Sequence, residues 1–433
     1  VPVTGRECAD CAAVSRSRAT AGPTRRGVLA GGAVAGLLAA LGSEALAPRL
    51  AFAAGGTPYS GDTLVVLSLR GGFDGLSAVA PVGDPDLARL RPTIAVPAGL
   101  GLRLDATFAM HPALTGLKAL YDAGSLAVVH ATGLAVPNRS HFEAMAQVEA
   151  ATPGSPLRTG WLDRVLSLHD ASGPFGAVQV GGGGLPWSLL GDFPDLGVGS
   201  VDDFGLDGVD TEDLPAWSTF LRTAFAHSDA RLAASAGTAL GALATTAAMR
   251  EAGYTPSNGA DYPDSDLGRQ LRDVARLVRA DVGLRVATID YGDWDMHSGL
   301  GRPDGGWMRD HLRELDDAVA AFATDLGTDL GRVTLVTISE FGRRAEENEN
   351  AGVDHGWGNA MFVLGGHVNG GQVFGSWPGL RDVDLTDGDL TVTTDYRAVL
   401  ADVLRSRAGA SAGEVATVFP GWTGSTLGIT SAA

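Results

Sequence analysis

Hydrophobic positions in this chain fall into short unbroken runs set apart by longer amphipathic stretches. Thr63–Leu69 (TLVVLSL) and Val333–Ile338 (VTLVTI) are aliphatic or β-branched nearly throughout. Strands buried on both faces have that composition, whereas half-exposed strands alternate. Ser125–His130, Leu284–Ile289 and Asn359–Leu364 are further runs of this kind, and Pro112–Ala123, Ser265–Asp281, Trp307–Leu326 and Asp395–Arg407 read as helices. Strand and helix in alternation predict an α/β fold with a mostly parallel sheet covered on both faces. From about 151 to 262 the alternation lapses. Trp161–His169 reads as helix, Ala177–Val180 as extended, Gly181–Gly184 as a loop, Ala216–Arg250 as Ala-rich helix and Thr255–Asp264 as a polar linker. This portion is expected to be a largely helical cap or lid inserted into a domain spanning 54–433.

In open α/β sheets ligands gather at the carboxyl ends of the strands. Val333–Ile338 runs into Ser339, Glu340, Phe341, Gly342 and Arg343, and Asp354-His355-Gly356 closes the Asn- and Glu-rich loop that follows. A carboxylate at a strand end and a histidine on the returning loop can share one divalent metal; the same loop also reads as solvated acid with a capping histidine. Thr63–Leu69 ends in Arg70-Gly71-Gly72-Phe73-Asp74-Gly75, where glycines admit a ligand close to the backbone. Asp74 there is either a metal ligand or a turn residue satisfying nearby amides. Leu284–Ile289 runs into a segment carrying Asp290, Asp293, Asp295 and His297, charges that are expensive to crowd together without a cation. In an extended segment Asp295 and His297 would share a face, whereas across a tight loop Asp293 and His297 would meet instead. Asn138 is a good cap for a helix running to about Ala150, which puts Ser140 in the first turn, where the helix dipole favours an alkoxide or a bound anion. Arg139 beside it adds charge for an oxyanion; the plainer role for Ser140 and His141 is capping.

Composition narrows the partners. The net charge of −18 argues against nucleic acid or an anionic membrane. Lys118 is the only lysine, and no P-loop pattern occurs. Arg25-Arg26 precede an Ala/Gly/Leu-rich segment that ends near Ala51-Phe52-Ala53, the signature of a twin-arginine export signal. A periplasmic or extracellular destination is therefore expected. Residues 1–53 hold six Arg and three acidic residues, so their removal takes the net charge from −18 to −21. Cys8 and Cys11 would leave with them, and without cysteine or a dinucleotide fingerprint a redox role has no support.

Taken together, LRGGFDGL at 69–76, NRSHF at 138–142, GDWDMH at 292–297, ISEFGRR at 338–344, DHGWGN at 354–359 and TTDYRAVLADVL at 393–404 give a chain that resembles the domain of unknown function 1501 family. These are exported proteins placed in the alkaline phosphatase–sulfatase superfamily. The resemblance covers nearly all of the chain after residue 53, and it implies an alkaline-phosphatase-like α/β fold. It also implies cleavage or transfer of phosphate or sulfate esters by a Ser or Thr nucleophile beside one or two divalent metals. On that resemblance Ser140 is the nucleophile and Asp74 the first-strand metal ligand. Glu340 takes the place of a second-site acid, and Asp295, His297 and His355 form the other site, with Asp293 competing with Asp295. Arg139 or Arg343 would stabilise charge on the equatorial oxygens. Oxygen and imidazole donors without thiolate suit Zn, Mn, Mg or Ca, and the substrate would be a small anionic ester. Two features depart from the superfamily: Glu340-Phe341 stands where Asp-His is common, and Ser140 is followed by a bulky histidine, unlike the usual sulfatase nucleophile signature. No cysteine is available to become formylglycine, which weighs against the usual sulfatase mechanism. Glu340-Phe341 supports a rival, a non-catalytic exported binding or assembly protein that keeps the fold.

Overall fold

The computed structural model describes residues 61–432 apart from 154–156, 170–172, 183, 194 and 211, and leaves aside the side chains at 230, 231, 234 and 235. The expected export signal lies outside the described residues. The main sheet has nine strands: β1 (Thr63–Leu69), β2 (Leu126–Gly133), β3 (Ala177–Val180), β4 (Leu196–Val198), β5 (Val286–Tyr291), β6 (Val333–Ile338), β7 (Asn359–Gly365), β8 (Val373–Phe374) and β9 (Thr394–Asp395). Their order is β8-β2-β7-β6-β1-β5-β3-β4, with β9 also pairing β2. β1 lies between β5 and β6, both parallel to it, with Val65 opposite Ala287 on one side and Leu335 on the other. The expectation of a mostly parallel sheet therefore holds, with one exception. β7 is antiparallel to both β2 and β6. It starts at the edge where the parallel strands finish, so the loop before it reaches the same edge as their carboxyl ends.

Strand alternation sorts the side chains onto two faces. Val65, Leu67 and Leu69 of β1 pack on one side with residues of α1 (Thr115–Asp122), α6 (Asp266–Arg279) and α7 (Trp307–Leu326). Leu64 and Val66 face the other way, toward α2 (His141–Ala150), α3 (Trp161–Leu166), α8 (Tyr396–Ser406) and α9 (Ala412–Val418). In α7, Leu312, Leu315, Val319, Phe322 and Leu326 recur at helical spacing and are fully buried or nearly so. Each such side chain contributes about 1.5–3 kcal/mol by leaving water, so this stripe holds the helix to the sheet. The stretch expected as a largely helical insertion also supplies strands. Ala177–Val180 and Leu196–Val198 extend the sheet beyond β5, ahead of the mutually packed α4 (Leu214–Phe225) and α5 (Ala230–Ala252). Among the described residues no helix is long and apolar enough to cross a membrane.

Candidate metal centre

Four segments meet at the carboxyl edge of the sheet: the turn after β1, the start of α2, the segment after β5, and the loop from β6 to β7. Glycine makes the first approach possible. Gly71 has φ +112°, and a Cβ there would stand 2.8 Å from the Asp295 backbone nitrogen and 2.9 Å from that of Trp294. The Trp294 N–H in turn donates to the Arg70 carbonyl. From the far side the β6–β7 loop is drawn in by the Val353 N–H, which donates to the Met296 carbonyl, and by an antiparallel bridge between Arg343 and His355.

His141, Asp295, His297 and His355 come together at this junction. His355 Nε2 lies 2.9 Å from His141 Nε2 and 2.9 Å from His297 Nε2. Asp295 Oδ1 is 2.9 Å from His297 Nε2, 3.2 Å from His355 Nε2 and 3.5 Å from His141 Nε2. Each ring is fixed from behind through Nδ1: His141 by Glu340 Oε1 at 2.7 Å, His297 by Asp354 Oδ1 at 2.9 Å, and His355 by the Arg139 carbonyl at 2.8 Å. Metal-bound histidines are held in this way, by carboxylates or carbonyls on the other ring nitrogen. His141, Asp295 and His355 form a group able to hold a metal ion.

Electrostatics favour the ligand forms. Burial opposes ionisation of Asp295, but Arg343, hydrogen-bonded to it at 2.7 Å, overcomes that and brings its carboxyl down to about 2. Burial lowers the His355 imidazole, and the nearby Arg343 cation adds to this, which favours the neutral ring. The hydrogen bond from His297 holds Asp354 below the usual carboxylate range.

Several expected site residues stand elsewhere or act differently. Asp74 is 3% exposed and gives both carboxylate oxygens to the fully buried Arg91, at 2.6 and 3.0 Å. Glu340 is buried with its oxygens taken by the Gly71 N–H, the His141 ring and the Ser339 hydroxyl, so it stands behind the cluster rather than in it. Asp293 adopts φ +64° and is exposed, on the wall of a neighbouring cavity of about 710 Å³ with Asp290, His311 and Glu314. The tight loop turns it away and leaves Asp295 as the carboxylate of the cluster. Arg343 is not free for an oxyanion. Its guanidinium donates to the carbonyls of Gly71, Gly72, Trp294 and Val353 and to Asp295, tying three segments together. Arg139 pairs with Asp389, whose carboxyl is raised by burial and only partly offset by that arginine.

Ser140 is the N-cap of α2 rather than a residue of its first turn. Its hydroxyl accepts from the Glu143 N–H at 3.5 Å, and Asn138 accepts from the Ser140 N–H at 2.9 Å. It sits half-exposed between two residues bound to the cluster, Arg139 through its carbonyl and His141 through its ring. His141 is the functional candidate that sequence reasoning assigned to capping. The signal was there: an imidazole one residue beyond a cap, with a buried acid at the end of another strand to orient it.

Residues 218–404 match the family model described as Protein of unknown function (DUF1501). No curated protein matches the chain. Among solved structures it is similar to the lipoteichoic acid synthase LtaP from Listeria monocytogenes, at 10% identity and TM-score 0.33, covering 78% of this chain and 75% of that one. It is similar to the PsFucS1 sulfatase from Pseudoalteromonas sp. at 14% identity and TM-score 0.33, covering 72% of this chain and 64% of that one. A third neighbour is a protein in the alkaline phosphatase superfamily from Vibrio parahaemolyticus, at 12% identity and TM-score 0.29, covering 72% and 62%.

Proposed function

From a chain that belongs to the DUF1501 family over residues 218–404, we propose an exported, metal-dependent hydrolase of phosphate or sulfate esters. The observation that carries it is the convergence of His141, His297 and His355 on Asp295, each ring anchored through Nδ1. Asp295, His297 and His355 would hold the metal, which supplies Lewis acidity toward the ester oxygen when bound. Ser140 would be the nucleophile, with its hydroxyl at the positive end of α2. Its Oγ bonds to phosphorus or sulfur as the bond to the leaving alcohol breaks. The serine proton goes to the departing alkoxide, and water then releases phosphate or sulfate and restores the hydroxyl.

A second reading is favoured by the arginines. Arg91, Arg139 and Arg343 are all committed to Asp74, Asp389 and Asp295, which leaves a chain of net charge −18 with little to attract an anionic ester. A binding or assembly protein with a structural metal fits that arrangement. One experiment separates the two: metal content by elemental analysis beside turnover of aryl phosphate, phosphodiester and sulfate esters, for wild type and Ser140→Ala. Turnover abolished by Ser140→Ala with metal retained supports the hydrolase. Metal without turnover of any ester supports the binding protein, and absence of metal after reconstitution with Zn, Mn, Mg or Ca removes both.

A further inference from the structure

The Arg139 carbonyl can only accept, so His355 Nδ1 carries a proton. Glu340 Oε1, which also accepts from the Gly71 N–H, accepts from His141 Nδ1, and Asp354 accepts from His297 Nδ1. With Nδ1 engaged behind each ring, the three Nε2 atoms are turned toward one another, and His355 Nε2 lies 2.9 Å from both of the others. Asp295 Oδ1, within 3.5 Å of each, adds a carboxylate oxygen. Arg343 engages that oxygen from one side, and the three imidazole nitrogens facing it from the other are placed as donors to one shared cation.

We propose, resting on the metal reading above, that His141 is itself a metal ligand together with Asp295 and His355, that Glu340 is its positioning residue and not a ligand, and that the centre selects a zinc-type ion over magnesium or calcium. The spacing suits such an ion. Tetrahedral bonds of about 2.0–2.1 Å keep ligand atoms about 3.3 Å apart, and the three edges of the His141–Asp295–His355 triangle are 2.9, 3.2 and 3.5 Å. Donor chemistry makes the selection. Imidazole suits zinc, cobalt and their neighbours, whereas magnesium and calcium take oxygen ligands, and here oxygen is the minority donor. Glu340, 3% exposed and held by Gly71 and Ser339, fixes the His141 ring much as a buried carboxylate fixes a metal-bound histidine elsewhere.

The test uses the full chain stripped of metal by chelation, with folding of each variant checked by circular dichroism. Cobalt(II) is titrated in and followed by visible absorption. Zinc affinity is measured by competition with a chromophoric chelator, with magnesium and calcium as competitors. Wild type is expected to give the intense visible bands of a four-coordinate site and to keep zinc against a large excess of magnesium or calcium. His141→Ala should weaken zinc about 100-fold or more and change the cobalt spectrum, and Glu340→Gln should weaken it about 10–100-fold. Unchanged affinity and spectrum in His141→Ala would overturn the ligand role while leaving the hydrolase reading on Asp295, His297 and His355. Unchanged affinity in Glu340→Gln would overturn its positioning role, and preference for magnesium or calcium would overturn the selectivity. No divalent ion bound by wild type would remove this inference and the metal reading together.

Discussion

Replacing Arg91 by Met gives a sharp test of why Asp74 stands apart from the His141–Asp295–His355 cluster. Arg91 is fully buried and every nitrogen of its guanidinium is used. Nη1 and Nη2 bind the two Asp74 oxygens at 2.6 and 3.0 Å, Nη1 also reaches the Ser77 hydroxyl at 3.0 Å, and Nη2 and Nε donate to the Arg344 and Ala345 carbonyls at 2.8 and 3.0 Å. Methionine fills most of the volume but strands a buried carboxylate and two carbonyls. Breaking a buried pair from one side costs about 3–5 kcal/mol. With unfolding entropy of about 2.1 cal/mol/K per residue over about 370 residues, that lowers Tm by about 4–6 °C. Denaturant melts followed by fluorescence and circular dichroism measure it. The double variant Asp74→Leu with Arg91→Met should recover part of the loss, because two matched apolar groups replace the ion pair while the Arg344 and Ala345 carbonyls stay unpaired. It should also bind metal like wild type. A loss below about 1 kcal/mol in the single variant, or a double variant no more stable than the single, would refute the ion-pair account. Loss of metal from a folded double variant would return Asp74 to the ligand set.

Other expectations follow from the same geometry. Gly71→Ala places a methyl group 2.8 Å from the Asp295 nitrogen at φ +112°; it should cost about 1–3 kcal/mol in backbone strain and lower metal affinity in a chelator competition, and unchanged affinity would mean that Gly71 does not set the Asp295 position. Ser140→Ala removes a cap whose bond is long, 3.5 Å, and should cost only about 0.5–1 kcal/mol in a denaturant melt, so lost turnover could not be ascribed to unfolding. Burial raises the Glu149 carboxyl above its ordinary 4.5 in spite of Arg70. The folded chain thus holds that proton in a window just above 4.5 where the unfolded chain has released it, and stability falls as pH climbs through the window. Glu149→Gln should flatten that fall in melts taken across the window, and an identical pH profile would show that Glu149 does not drive it.

The sheet was legible because burial on both faces leaves little room for polar residues: Thr63–Leu69 and Val333–Ile338 are strands to the residue. β7 was recognisable as a strand, but its direction was not, since antiparallel pairing is set by the loop from Gly342 to Gly358 and not by composition. That Asp295, His297 and His355 gather at one edge of the sheet could be read from their place after strands. His141 could not be separated from a cap, because its role depends on Glu340, 199 residues away. Asp74, Arg139 and Arg343 misled for one reason. A charged residue at a strand end or a helix start looks free until its partner is found, and Arg91, Asp389 and Asp295 are partners that only the tertiary structure supplies.

The position of β1 bears on how the chain comes to be folded. Its two neighbours begin at Val286 and Val333, so an apolar strand made early has nothing to pair with until most of the chain exists. At a synthesis rate of about 5–20 residues per second, β1 waits about 13–50 s for its second neighbour. Contacts this distant in sequence make folding slow; until β5 is made both edges of β1 are open to pairing with another nascent chain, and one edge stays open until β6 follows. Its yield should therefore depend on chaperone supply more steeply than its final stability suggests.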